Sequence, residues 1–163
     1  MSDAADVVTL EGRAALASAL LALAERAEWD VLLLSFDFDR ALYGSEAFVD
    51  AIKRLALSSE RARIRVLINQ PRAAMKAAHR FVELGRRLPS RIEFRELSDE
   101  RRATQRADWL IVDQRSVIER GSPDALRARQ QCDAPMPARA KAKAFMALWD
   151  ESPGCVEFRA LGI

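Results

Sequence analysis

Three short apolar runs constrain the fold of this chain more than any other feature. Val31-Leu32-Leu33-Leu34 is continuously apolar and too short for a helix, which reads as a strand buried on both faces. Ile64-Arg65-Val66-Leu67-Ile68 and Trp109-Leu110-Ile111-Val112-Asp113 read as further strands. Between and before them lie segments with helical periodicity. Residues 10–27 place Leu16, Leu20, Leu23 and Ala27 on one stripe, with Arg13, Glu25 and Arg26 off it. Ser45 and Glu46 open a second helix whose Phe48, Ile52 and Leu55 share a face. Pro71 suits the first turn of a third, because its missing N–H would be unpaired there anyway, and Pro89 stops it after Leu88.

The later elements are less regular. Arg91-Ile92-Glu93-Phe94-Arg95 alternates as a strand nearer an edge. Ser116-Val117-Ile118-Glu119 pairs with the Trp109 strand as a hairpin across Gln114-Arg115. Residues 121–137, with Gly121, Pro123, Pro135 and Pro137, read as loop. A last helix over 138–150 carries Phe145, Leu148 and Trp149, and Val156-Glu157-Phe158 reads as a final short strand. Strands alternating with helices predict an α/β fold: a mostly parallel sheet flanked by helices on both faces. Residues 1–9 are expected to be a tail and 10–163 one domain.

Composition narrows the function classes. Half the residues are apolar, 31% are charged and the net charge is +2, which is ordinary for a globular domain and demands neither nucleic acid nor an acidic membrane. Lys53, Lys76, Lys141 and Lys143 are the only lysines, so the positive charge is nearly all arginine. Arginine forks suit phosphate and carboxylate, although base composition gives the same bias. Met1 to Asp6 holds no basic residue, so a secretory signal is not expected. The oily stretch Ala14–Ala24 falls well short of the ~20 residues a membrane span needs. Cys132 and Cys155 have no C-x-x-C spacing and His79 is the only histidine, so no metal and no cofactor are expected. The expected location is the cytoplasm.

The order of elements resembles one repeat of the phospholipase D superfamily, and an uncharacterised bacterial branch of it that is sometimes attached to acetyltransferase domains. In that family a late strand carries H-x-K-x-x-x-x-D and its hairpin partner leads to a G-S pair. Here the frame reads Arg106-x-Asp108-x-x-x-x-Asp113, followed by Gly121-Ser122, and Phe145-Met146-Ala147-Leu148-Trp149 is similar to the family's closing helix. The resemblance implies that a histidine at 106 would attack phosphorus and a lysine at 108 would hold its oxygens. Arginine stays protonated and cannot be the nucleophile, and a carboxylate at 108 would repel phosphate. Around His79 the same frame would put Phe81 and Arg86 at the lysine and aspartate positions, so His79 is read as structural or superficial. The expectation is a non-catalytic module, a pseudoenzyme, that binds a phosphate-containing ligand or a partner protein. Because such repeats normally pair, a homodimer is expected, with no membrane partner.

Two sets of residues are candidate sites. Arg101, Arg102, Arg106 and Arg115 lie in and just after the connection that would deliver the reactive histidine, and would engage phosphates of a nucleotide or nucleic acid. Asp99, Glu100 and Asp108 among them favour a solvated loop instead. The alternative is acidic. Asp37 and Asp39, just past a buried strand, resemble the D-x-D nucleophile motif of magnesium-dependent haloacid-dehalogenase-type phosphatases, with Asp113 as a third carboxylate. Arg40 replaces that motif's small residue, and Asp113 lacks an acidic neighbour. The competing reading is that Asp37 or Asp39 bonds loop backbone ahead of Ser45. Trp29, Trp109 and Trp149 are assigned to the core or to a dimer face.

Overall fold

The protein is described from a computed structural model, which defines residues 6–76, 79–155 and 158. Seven strands form one sheet: β1 (Val8–Glu11), β2 (Asp30–Ser35), β3 (Arg63–Ile68), β4 (Ile92–Glu96), β5 (Asp108–Val112), β6 (Ser116–Arg120) and β7 (Arg127–Gln131). Their spatial order is β1-β7-β6-β5-β2-β3-β4. Only β2–β3 and β3–β4 pair in parallel; β2–β5, β5–β6, β6–β7 and β7–β1 are antiparallel. The sheet is therefore mixed, which corrects the expectation of a mostly parallel one. The reason is topological: after two parallel crossovers β5 inserts against the free edge of β2 and runs the other way.

Helices cover both faces. On one side lie α1 (Arg13–Glu25), α2 (Arg40–Tyr43), α3 (Glu46–Ser58), α4 (Pro71–Lys76) and α5 (Arg80–Arg87); α7 (Pro135–Asp150) covers the other, and α6 (Asp99–Arg102) is a single turn in a connection. β2 is buried along its whole length, as its apolar run predicts. Successive strand side chains point to opposite faces, so Val31 and Leu33 pack beneath Leu16, Leu20, Phe48 and Ile52, while Leu32 and Leu34 meet Phe145 and Trp149 of α7. Burying one such Leu contributes roughly 1.5–3 kcal/mol. Gly85 lets α5 lie close on β4, since a Cβ there would stand 2.2 Å from Phe94 Cε2.

Several boundaries differ from the sequence reading, each for a physical reason. β1 straddles residues 8–11, where a tail and then a helix are expected. β7 occupies part of the expected loop 121–137; it is Arg127-Ala128-Arg129-Gln130-Gln131, nearly all polar, with only Ala128 buried. Pro135 and Pro137 do not mark loop but the first turn of α7. The third helix is two, with His79 in an extended conformation capping α5. The expected strand at Val156-Glu157-Phe158 lies outside the described residues except Phe158. Trp109 and Trp149 are core, whereas Trp29 is 45% exposed. Cys132 and Cys155 form no disulfide. No helix among the described residues is long and apolar enough to cross a membrane.

Candidate functional site

Position 108 is the centre of a buried polar network. Asp108 opens β5 at the end of the sheet where β2 finishes, and it is 4% exposed. Its Oδ2 accepts from Tyr43 Oη at 2.7 Å, Ser35 Oγ at 3.0 Å and Arg120 Nη2 at 3.3 Å, and its Oδ1 accepts from the Phe36 N–H at 3.0 Å. Arg120, its cross-strand partner on β6, is equally buried. Burial, and then the Asp108 charge, push the Tyr43 hydroxyl well above its ordinary pKa, so it stays a donor. Ser35 Oγ in turn accepts from the Phe38 N–H at 2.9 Å, tying the β2–α2 loop to the same carboxylate. The loop chain is bent: Phe38 has φ 50°, unusual for a bulky residue. A carboxylate with four donors around it is a structural cross-link.

His79 is buried as well. Its ring stacks on Phe38 with centroids 4.1 Å apart, Nε2 donates to the Phe38 carbonyl at 3.0 Å, and Nδ1 accepts from the Phe81 N–H at 3.3 Å. Both nitrogens are used, in the neutral form. Burial lowers its pKa to about 4 from 6.5, against the raising effect of the Phe38 carbonyl. At the other end of β2, burial raises buried Asp30 to about 6 from 3.8, with Arg65 opposing and Asp113 adding to the shift.

These two groups pull stability in opposite directions with pH. The depressed His79 contributes stability that is present above about 6.5 and lost as pH falls through 4. The raised Asp30 contributes stability that is present below 3.8 and lost as pH rises through 6. Each is worth about 3 kcal/mol when fully expressed. Between about pH 4 and 6 the slopes of these two groups offset. Asp30→Asn removes one slope: the variant should exceed wild type at pH 7 and lose roughly 2–3 kcal/mol on acidification. Parallel profiles for the two proteins would refute the assignment.

The four arginines do not form one cluster. Arg101 on α6 pairs with Glu151 at 2.6 Å. Arg102 ties the connection down, with Nη2 2.8 Å from Glu96 and bonds to the carbonyls of Leu97 and Asn69. Arg106 is exposed and stacks over the Phe36 ring, 4.6 Å from its centroid, with no carboxylate partner among the described residues. Arg115 lies on the β5–β6 turn at the opposite end of β5, 3.0 Å from Asp133. Nor does the acidic set converge. Asp39 Oδ1 caps α2 by accepting from the Ala41 N–H, and its Oδ2 pairs with Arg13. Asp37 stands beside it, its carboxyl raised by burial and then by Asp108 and Asp39, with Oδ1 buried and unbonded. Asp113 is at the far end of β2, roughly 20 Å away by strand length, where it accepts from the N–H groups of Glu28, Trp29 and Asp30. Among the described residues no group of three or more His, Cys, Asp or Glu side chains is placed to hold a metal ion.

Asp108, Tyr43, Ser35 and Arg120 were not singled out together in the sequence. The signal was there in the hairpin, since a register of Val112 opposite Ser116 sets Asp108 against Arg120. A turn at Gln114-Arg115 shifts that register by one and hides the pair.

Comparison with solved structures identifies the fold as phospholipase-D-like. Nuc from Salmonella typhimurium, a phospholipase D family member, superposes with TM-score 0.66 at 15% identity, covering 95% of this chain and 99% of that one. NucT from Helicobacter pylori gives 0.58 at 10%, covering 92% and 99%. TrmBL2, an archaeal chromatin protein, gives 0.67 at 13% over 91% of this chain; the chain spans 54% of that protein's length. No curated protein matches by sequence. Residues 12–161 match the family described as Domain of unknown function (DUF7931), and the chain belongs to that family.

Proposed function

We propose that this domain is a non-catalytic phospholipase-D-like module that binds phosphate-bearing ligands at the sheet end carrying Arg106. The observation that carries the reading is the closed network around Asp108: where the resemblance asks for a lysine reaching phosphate, the side chain is buried and spends both oxygens on Tyr43, Ser35, Phe36 and Arg120. At the histidine position Arg106 offers an exposed, permanently charged fork braced on Phe36. TrmBL2, which shares this fold at 13% identity, is described as binding DNA.

Retention on heparin and on single-stranded DNA across a salt gradient tests this. Arg106→Ala should elute earlier and lower the salt slope by about one phosphate contact, while Arg115→Ala, at the other end of β5, should elute with wild type. Equal elution of all three would remove the binding surface from position 106. Self-association belongs to the same proposal, supported by the open edge of β1 and the exposed Val7 and Val8 beside it. Light scattering that gives the monomer mass throughout a concentration series would exclude it.

A further inference from the structure

We propose a second site, separate from Arg106: a phosphate group binds in the half-open cavity between the N-terminus of α1 and the β6–β7 connection. The cavity measures about 130 Å³ and is walled by Gly12, Arg13, Arg120, Asp124, Ala125 and Leu126 among others. Arg106 is not part of its wall.

Two groups short of acceptors line this cavity, the start of α1 and Arg120. The first is in α1, a 13-residue helix whose N-cap Gly12, at φ 85°, has no side chain to accept from the first-turn N–H groups. No acidic residue stands in that turn either. A helix start of this kind presents N–H donors and partial positive charge to an anion. The second is Arg120. It is 4% exposed, and its Nε is buried with no hydrogen-bond partner. The other two guanidinium nitrogens make only long bonds, Nη1 to the Pro123 carbonyl at 3.4 Å and Nη2 to Asp108 at 3.3 Å. A guanidinium carries five N–H donors, and buried donors are as a rule satisfied. Arg13 adds a second cationic fork at the rim; it also pairs with Asp39. Asp124 is the opposing charge in the wall and weakens the attraction for an anion, which the two arginines and the helix start outweigh. Phosphate supplies several acceptor oxygens on one centre, which the spread of donors requires.

The test uses the whole chain. Calorimetry and thermal unfolding are run with inorganic phosphate, with methyl phosphate, and with potassium chloride at matched ionic strength. Wild type and Arg106→Ala should show saturable binding and a rise in Tm with phosphate, absent with chloride. Ala125→Leu, which fills the cavity, should abolish both. Arg13→Gln, checked for native circular dichroism, should weaken binding by about tenfold, the loss of one charge-assisted contact. Methyl phosphate binding as well as the free ion assigns the site to terminal phosphomonoesters; exclusion of methyl phosphate assigns it to inorganic phosphate. Equal effects of chloride and phosphate, or undiminished binding by both Ala125→Leu and Arg13→Gln, overturn the proposal. Loss of binding in Arg106→Ala alone overturns it too, since that places the ligand at the other surface.

Discussion

Asp108→Lys, which restores the residue type that the phospholipase D resemblance asks for, is expected to unfold the domain. The substitution removes the acceptor shared by Tyr43, Ser35, Phe36 and Arg120 and sets an ammonium beside a buried guanidinium. Breaking a buried ion pair by removing one partner costs about 3–5 kcal/mol, and a second buried cation adds to that. The total reaches into the ~5–15 kcal/mol that holds an ordinary domain together. Asp108→Asn keeps the shape and one acceptor, and should cost roughly 2–3 kcal/mol. Urea unfolding followed by circular dichroism separates the two. A lysine variant with the wild-type midpoint would show that position 108 is not a cross-link.

Phe38→Ala carries the next largest expected loss, about 4 kcal/mol by urea unfolding. Phe38 is 1% exposed and its ring touches those of Tyr43, His79, Phe81, Phe94 and Phe158, so alanine leaves a cavity bounded by several elements. Alanine does not relieve the positive φ, so no gain offsets the loss. Because the ring also shields the His79 imidazole, an NMR titration should find the His79 pKa moved up from about 4 toward 6.5. A loss under 1 kcal/mol with an unmoved histidine would mean that Phe38 does not organise this core.

How much was legible in the sequence follows from where the information lies. Val31 to Leu34 could only be a buried strand, and the Leu16–Leu20–Leu23 stripe could only face a core; both do. Ser45 caps α3 through its Oγ, as its place before Glu46 suggests. Val8–Glu11 and Arg127–Gln131 escaped because edge-side strands exposed on one or both faces carry too few apolar residues to show a period. Strand direction escaped for a different reason: local pattern does not say which edge a strand joins, so β5 beside β2 was invisible. The arginines were grouped by sequence proximity, whereas the β5 strand holds Arg106 and Arg115 at its two ends. His79 reads from the sequence as structural or superficial; it is buried, and its place as the cap of α5 depends on a helix break that the periodicity does not reveal.

The proposed function is non-catalytic: an arginine at 106 and a buried carboxylate at 108 stand where the phospholipase D resemblance asks for reactive side chains. Phosphoester turnover tests it most directly, with purified chain offered bis-p-nitrophenyl phosphate, p-nitrophenyl phosphate and single-stranded DNA, with and without Mg²⁺. The expected rate equals that of buffer in every case, for wild type, Arg106→Ala and Asp37→Asn alike. Saturable turnover that disappears in either variant would contradict the account.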